Sequence, residues 1–311
     1  MTATSDSPPD DLLATPGGNA TAGGVTFQAE VATGRWLMSG TNAQSSGWQL
    51  GGNAPLAYDT HIVNIFLQDY SRRLIETAAI KRGSRVLDVA CGTGVVTRVA
   101  ADRAGAEGYV VGLDFNAGML SRARALSEKT PKIDWREGTV TDMPFSEGSF
   151  DAVLCQHGLQ FFPDKAAALA EMHRVLTPSG RLVVSVWRAL DFCPWQRAIG
   201  DAVERHVGLD AAKQIRSAFS LGNADMLREM IESAEFRDVE IKVEPETIRH
   251  SSLEEYVPGY LSATPVAGAV ANLNAEAQRE IAASVRDALA EYVVDHGVAA
   301  PIQTHVAIAY R

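Results

Sequence analysis

From Arg85 onward the chain alternates short apolar runs of strand length with longer stretches in which apolar residues recur every three or four positions. The runs at 85–90, 109–114, 132–137, 150–156 and 181–187 predict strands, and the intervals near 95–104, 116–127 and 164–176 predict helices. Such alternation gives a parallel, doubly wound sheet, because each crossover lays a helix on one face or the other. Further on, Asp225 to Ala234 reads as a helix, Val239, Ile241 and Val243 alternate as a strand does, and His305 to Tyr310 reads as a closing strand. Upstream, Tyr58 to Ala79 reads as a helix. Ile281, Val285, Ala288, Leu289 and Tyr292 fall at helical spacing, the pattern of a lid helix packed over a cleft.

The same pattern divides the chain. Residues 1–24, rich in Thr, Ser, Ala, Gly and Pro, can bury too little surface to offset chain entropy and are expected to be a disordered tail. Residues 25–80 are expected to form an N-terminal helical cap segment, with Phe27, Trp36 and Trp48 as candidate pocket aromatics. The core at 81–188 is followed by a cap insertion at 189–221, a core helix and strand at 222–249, a helical lid insertion at 250–298 and the closing strand of the core at 299–311.

The chemistry concentrates at one junction. Val86, Leu87, Asp88 and Val89 form an apolar run carrying one acid, followed by Ala90, Cys91, Gly92, Thr93 and Gly94 and then a helix. Small residues in that turn let a ligand lie against backbone, and Asp88 falls at the carboxyl end of the strand, where open α/β sheets bind their ligands. A dinucleotide fold is the rival reading. It requires a small residue at position 97, where Thr97 stands, and it would set a carboxylate against a pyrophosphate. A sulfonium bearing an α-amino group suits that acid better.

On these residues the chain resembles the class I S-adenosylmethionine-dependent methyltransferases, in particular the group related to the ubiquinone and menaquinone C-methyltransferases. The resemblance runs from Tyr58 to Trp187. Val86 to Thr97 is similar to the first motif, Val111-Gly112-Leu113-Asp114 to the second, Arg136 to Phe145 to the adenine-binding segment, Phe150 to Phe162 to the fourth strand and its loop, and His173 to Leu182 to the fifth-strand motif. It implies a mostly parallel seven-stranded Rossmann-like sheet with a helical cap, the last strand antiparallel. S-adenosyl-L-methionine is the implied cofactor, bound by Asp88, Ala90, Gly92, Gly94, Thr97, Asp114, Phe115, Met119, Thr139, Val140 and Gln156. Asp114 would take the ribose hydroxyls, although an acid there also caps the helix near Asn116. Thr139 and Val140 stand where relatives carry Asp or Asn and then Ala, so backbone contacts are expected at those two positions.

The implied activity is methyl transfer to a small organic acceptor at O, C or N, such as a phenol, a quinol or a natural-product intermediate. Alignment and desolvation supply much of such catalysis, and a base is needed only where the acceptor loses a proton. His157 is the candidate base, with an imidazole that ordinarily titrates near neutrality, or else it shapes the pocket. Tyr58 is similar to the aromatic residue that closes over the cofactor in relatives. A nicotinamide or flavin oxidoreductase, a non-catalytic S-adenosylmethionine-binding protein and a non-methylating cyclase on the same fold remain alternatives.

Composition narrows the partners. A formal net charge of −10 with no basic run excludes nucleic acid as the expected partner. The 3 cysteines lack metal or disulfide spacing, the histidines are scattered, and no Gly-x-Ser-x-Gly elbow occurs, so no metal site and no serine hydrolase are expected. Neither a signal sequence nor a membrane span is legible, and a cytoplasmic monomer or homodimer is expected.

Overall fold

In the computed structural model, residues 19–22, 25–30, 35–38 and 53–311 are described, apart from 129 and 131. Two compact units result, Met1–Ser45 and Ser46–Arg311. Within the first, the strands Asn19–Ala22, Val25–Glu30 and Arg35–Met38 form an antiparallel sheet, with Ala22 opposite Val25 and Phe27 opposite Met38. Residues 19–22, expected from composition in a disordered tail, and 25–30 and 35–38, expected in a helical segment, are strands. The β-branched and aromatic content of Val25-Thr26-Phe27 and the aromatic Trp36 favour the pleated form over the helix. The rest of the expected tail and Trp48 lie outside the described residues.

The second unit is built on a sheet whose long strands are β1 (Arg85–Val89), β2 (Tyr109–Asp114), β3 (Ile133–Glu137), β4 (Phe150–Gln156), β5 (Leu176–Trp187), β6 (Arg237–His250) and β7 (Gly297–Tyr310). Their order across the sheet is β3-β2-β1-β4-β5-β7-β6, with the two-residue strand Val293–Val294 also pairing with β7. β1 to β5 are mutually parallel, and β7 runs antiparallel to both neighbours. This is the doubly wound, mostly parallel architecture the sequence implies. The order reverses between β1 and β4, which opens the crevice where such sheets take ligands.

Two apolar layers sandwich the sheet. Leu87, Val89, Leu113 and Val153 face the helices Lys165–Val175 and Ala224–Ser233, while Val86, Val110 and Leu154 face the helices Gln68–Ala78 and Val95–Ala104. Side chains alternate along a strand, so Asp88 shares the face of Val86 and points toward the Val95–Ala104 helix. A third apolar cluster forms the cap. It joins the N-terminal helix to Pro194–His206, Leu209–Ser217, Leu253–Ser262 and Ala275–Ala288. From the expected lid stripe, Ile281, Val285 and Leu289 are buried in that cluster, Tyr292 packs at its edge, and Ala288 is exposed.

β6 is far longer than the segment 239–243 that the apolar pattern marks, and β7, expected as the closing strand at 299–311 with its clearest apolar pattern at 305–310, begins at Gly297. Their ladder continues from Thr304 opposite Glu244 out to Val298 opposite His250, whereas β5 pairs with β7 only over 304–310. The extension escapes a hydrophobicity reading because Glu244, Pro245, Glu246 and Thr247 are polar or break the run. Ala300 and Ile302 on its partner are buried under the cap.

Candidate functional site

Residues 54–78 form one continuous helical stretch whose centre, Asp59–Leu67, is a π-helix, a form concentrated at functional sites. Its last part, Gln68–Ala78, packs on the sheet face, while Tyr58 and Asp59 reach the residues after β2. Asp59 is buried and pairs with Arg122 on the Ala117–Ala125 helix at 2.6 Å, leaving its second oxygen, Oδ1, without a partner. The pair ties the N-terminal helix to the strand-end loops. Arg122→Gln removes the cation and leaves a buried carboxylate, so it is expected to cost about 2 kcal/mol in denaturant unfolding, below the full penalty for a dry pair because Arg122 is one-third exposed.

At the β1 turn, Ala90, Gly92 and Gly94 all adopt positive φ, at 55°, 55° and 80°. Their expected common role, room for a ligand against backbone, divides in the structure. A Cβ on Gly92 would meet nothing within 4 Å, whereas one on Gly94 would overlap the indole of Trp135 from β3. Gly112 on β2 meets the same ring. Gly92 is therefore the open position, Gly94 and Gly112 make room for a tryptophan, and the Ala90 methyl lies against Gly158.

Asp88 and Asp114 flank this turn, both buried. Asp88 accepts from the Thr97 hydroxyl at 2.5 Å, and burial first, with the Asp114 charge assisting, raises its carboxyl to about 7. Asp114 accepts from the Gly92 amide at 2.8 Å and the Asn116 amide at 2.9 Å, and burial raises it too. The helix cap that was one reading of Asp114 belongs to Asn116, which accepts from the Gly118 and Met119 amides. Two buried acids at one turn make a site for a cation with hydroxyl donors.

The other expected residues are distributed unevenly. Thr97, one of the implied cofactor residues, is fully buried and directs its hydroxyl to Asp88, so it positions that acid. Met119 is buried beside the Asn116 cap, and Phe115 is 40% exposed. Thr139 and Val140 are partly buried in the loop after β3. The Gln156 amide donates to the Ser71 hydroxyl at 3.0 Å. Tyr58 is half-buried, and burial, then the charges of Asp114 and Asp59, raise its phenol.

His157 does not keep the ordinary titration range of an imidazole. Instead of titrating near neutrality it is depressed to about 3, because burial disfavours the imidazolium. Its ring stacks on Trp187 at 3.6 Å, stands edge-on to Tyr70 at 5.8 Å, and meets the Thr304 hydroxyl through Nε2 at 3.0 Å. A neutral imidazole in an aromatic box is a hydrogen-bonding group, not a proton store at physiological pH.

Sequence reasoning missed Asp59, Thr93, Arg98 and Trp135. Arg98 donates to the Thr93 carbonyl at 2.6 Å, and the Thr93 hydroxyl is buried without a partner. The unpaired Asp59 and Thr93 oxygens, the open backbone at Gly92 and the two acids fit a zwitterionic nucleoside donor. No group of residues suited to a metal occurs among the described residues, and no helix there is long and apolar enough to cross a membrane.

Residues 87–184 match the family model described as a methyltransferase domain. The core is a methyltransferase domain. It is 36% identical over 132 residues to 2-phytyl-1,4-naphthoquinone methyltransferase of Thermosynechococcus vestitus, covering 42% of this chain and 56% of that protein. It is 37% identical over 114 residues to demethylmenaquinone methyltransferase of Staphylococcus epidermidis, covering 37% of this chain and 47% of that protein. The chain thus spans about half the length of these relatives. Among solved structures the fold matches phosphoethanolamine N-methyltransferase 2 of Haemonchus contortus with a TM-score of 0.58 at 17% identity, over 94% of this chain and 70% of that one. A Bacillus halodurans protein matches at 0.55 and 21% identity, over 78% of this chain and 98% of that one. The methyltransferase domain contains every expected cofactor residue, and the cap segments lie outside the matched span.

Proposed function

We propose that the protein transfers the methyl group of S-adenosylmethionine to a small organic acceptor by in-line displacement. The observation that carries this reading is the pair of buried carboxylates, Asp88 and Asp114, on either side of the open backbone at Gly92. Bound there, the donor supplies an electrophilic methyl on a cationic sulfur. Asp88 and Asp114 supply charge and hydroxyl acceptors, Tyr58 covers the ribose end, and the cap helices exclude water from the strand ends. A phenol- or quinol-like acceptor is favoured, because the two curated relatives are named for naphthoquinone-type compounds and His157, Trp187, Tyr70 and Phe219 present flat ring surfaces.

The test is transfer of isotope from methyl-labelled donor across a panel of phenols, quinols, amines and polyketide-like acids, with the label located by mass. Calorimetry should show uptake of S-adenosylhomocysteine and none of NADH; the reverse ranking would establish the dinucleotide alternative. His157→Ala is expected to lower kcat at least about tenfold while the S-adenosylhomocysteine Kd stays within about twofold, since the ring's partners are Trp187, Tyr70 and Thr304 and neither acid.

Donor affinity should also follow Asp88. Its carboxyl titrates at about 7, and only the ionised form attracts a cation. Affinity for S-adenosylmethionine is therefore expected to level off above pH 7 and to fall toward tenfold per unit below it, read by calorimetry between pH 5.5 and 8.5.

A further inference from the structure

The helical stretch 54–78 is anchored unevenly. From Ile62 onward apolar burial holds it: Ile62, Val63, Phe66 and Leu67 lie in the cap cluster, and Leu74, Ile75 and Ala78 in the layer against the sheet. The first segment, Ala54–Tyr58, buries Pro55 alone, and its Leu56 is 52% exposed. A segment with so little buried apolar surface opens at low cost while its neighbours stay folded. The boundary between the two regimes falls at Asp59, where the helix becomes π-helical. Exchanging a π turn for an α turn there rotates the chain before it by ~100° and leaves the anchored part in place.

Two contacts fasten the loosely anchored end, and both land on the helix Ala117–Ala125. A Cβ on Gly118 would meet the Pro55 ring at 3.6 Å and Asn116 Oδ1 at 3.1 Å, so Pro55 rests beside the cap of that helix. One turn on, Arg122 Nε donates to Asp59 Oδ2 at 2.6 Å, and among the described residues this is the one ion pair made by residues 54–61. The other Asp59 oxygen has no partner, so a single bond carries the attachment. The Asn116 amide in turn donates to Asp114 Oδ1 at 2.9 Å, which puts the fastened end next to the second buried acid. Asp88 and Asp114 are both buried, so a ligand the size of a nucleoside reaches them only when a covering segment gives way.

We infer that Ala54–Asp59 is a flap over the Asp114 end of the site, hinged on the π-helical turns and latched by the Asp59–Arg122 pair, and that this latch sets how fast S-adenosylhomocysteine leaves. Arg122 is a positioning residue, acting through Asp59 and the flap. The hinge and the latch stand on the fold alone; the identity of the departing ligand rests on the methyltransferase reading.

The test has two arms, both on the full chain. In hydrogen exchange of the ligand-free protein, the amides of residues 56–61 are expected to exchange at least about tenfold faster than those of 66–78. Arg122→Gln is expected to speed the first group at least about fivefold more and to leave the second within about twofold. In the second arm, radiolabelled S-adenosylhomocysteine is chased with excess unlabelled ligand. Release is expected to be at least about tenfold faster from Arg122→Gln than from the wild type, and Arg122→Lys, which keeps the charge, is expected to return it to within about threefold. Equal exchange of the two groups in the wild type overturns the hinge. Release from Arg122→Gln within about threefold of the wild type overturns the latch, and so does exchange accelerated evenly across 56–78, the mark of a pair that serves global stability. Failure of the wild type to bind S-adenosylhomocysteine, with the exchange pattern as expected, counts against the methyltransferase reading and leaves the hinge and latch standing.

Discussion

Asp88→Ala is expected to raise the Kd for S-adenosylhomocysteine at least about 100-fold, measured by calorimetry at pH 8, while the protein stays folded. The acid is buried and bonded to Thr97, and without it that hydroxyl and the cationic ligand lose their shared acceptor. Stability should move the other way with pH. A carboxyl raised from 3.8 to about 7 ionises more readily in the unfolded chain, so its contribution to stability is lost as pH rises from about 4 through 7. The alanine variant lacks that loss. At pH 8 it should unfold at a denaturant midpoint no lower than that of the wild type. A midpoint far below it, or unchanged ligand affinity, would show that Asp88 serves the fold and not the site.

Gly94→Ala should unfold the protein more easily by about 3 kcal/mol, combining a left-handed φ of 80° with overlap between the new methyl and the Trp135 ring. For a chain of this size that corresponds to a fall in Tm of roughly 5 °C by calorimetry. Gly92→Ala is the contrast. The left-handed strain remains but the space is open, so the loss should be about 1 kcal/mol, with the larger effect on donor binding. A double-mutant cycle separates the two causes: in a Trp135→Leu background the cost of Gly94→Ala should shrink to the backbone part. Equal costs in both backgrounds would show that the indole is not what excludes the side chain.

The sheet was legible because strands buried on both faces must be apolar almost throughout. β1, β2 and β4 therefore announce themselves as runs such as Val86-Leu87 and Ala152-Val153-Leu154. The upper half of β6 did not, since Glu244 to Thr247 form a polar edge that no hydrophobic pattern reveals. Residues 19–22 escape for a different reason: a Thr-, Ala- and Gly-rich composition argues against a core, yet backbone pairing needs little apolar surface from each residue. At the site, the glycines were visible but their division of labour was not, because Trp135 lies some forty residues downstream and meets Gly94 only through the sheet.

By itself the sequence determined the parallel sheet, the acid at the end of β1, the glycine turn and the second acid at the end of β2. Each follows from local periodicity and from the order of residues within one strand–turn–helix unit. Only the tertiary structure decided that burial raises Asp88 to about 7, that Thr97 answers to Asp88, that Asp59 reaches Arg122, and that burial depresses His157, whose ring meets Thr304 and Tyr70. Those properties depend on burial and on partners drawn from distant segments: 147 residues separate His157 from Thr304. Dielectric surroundings and hydrogen-bond partners are set by what folding brings within a few ångströms, and no window along the chain contains that information.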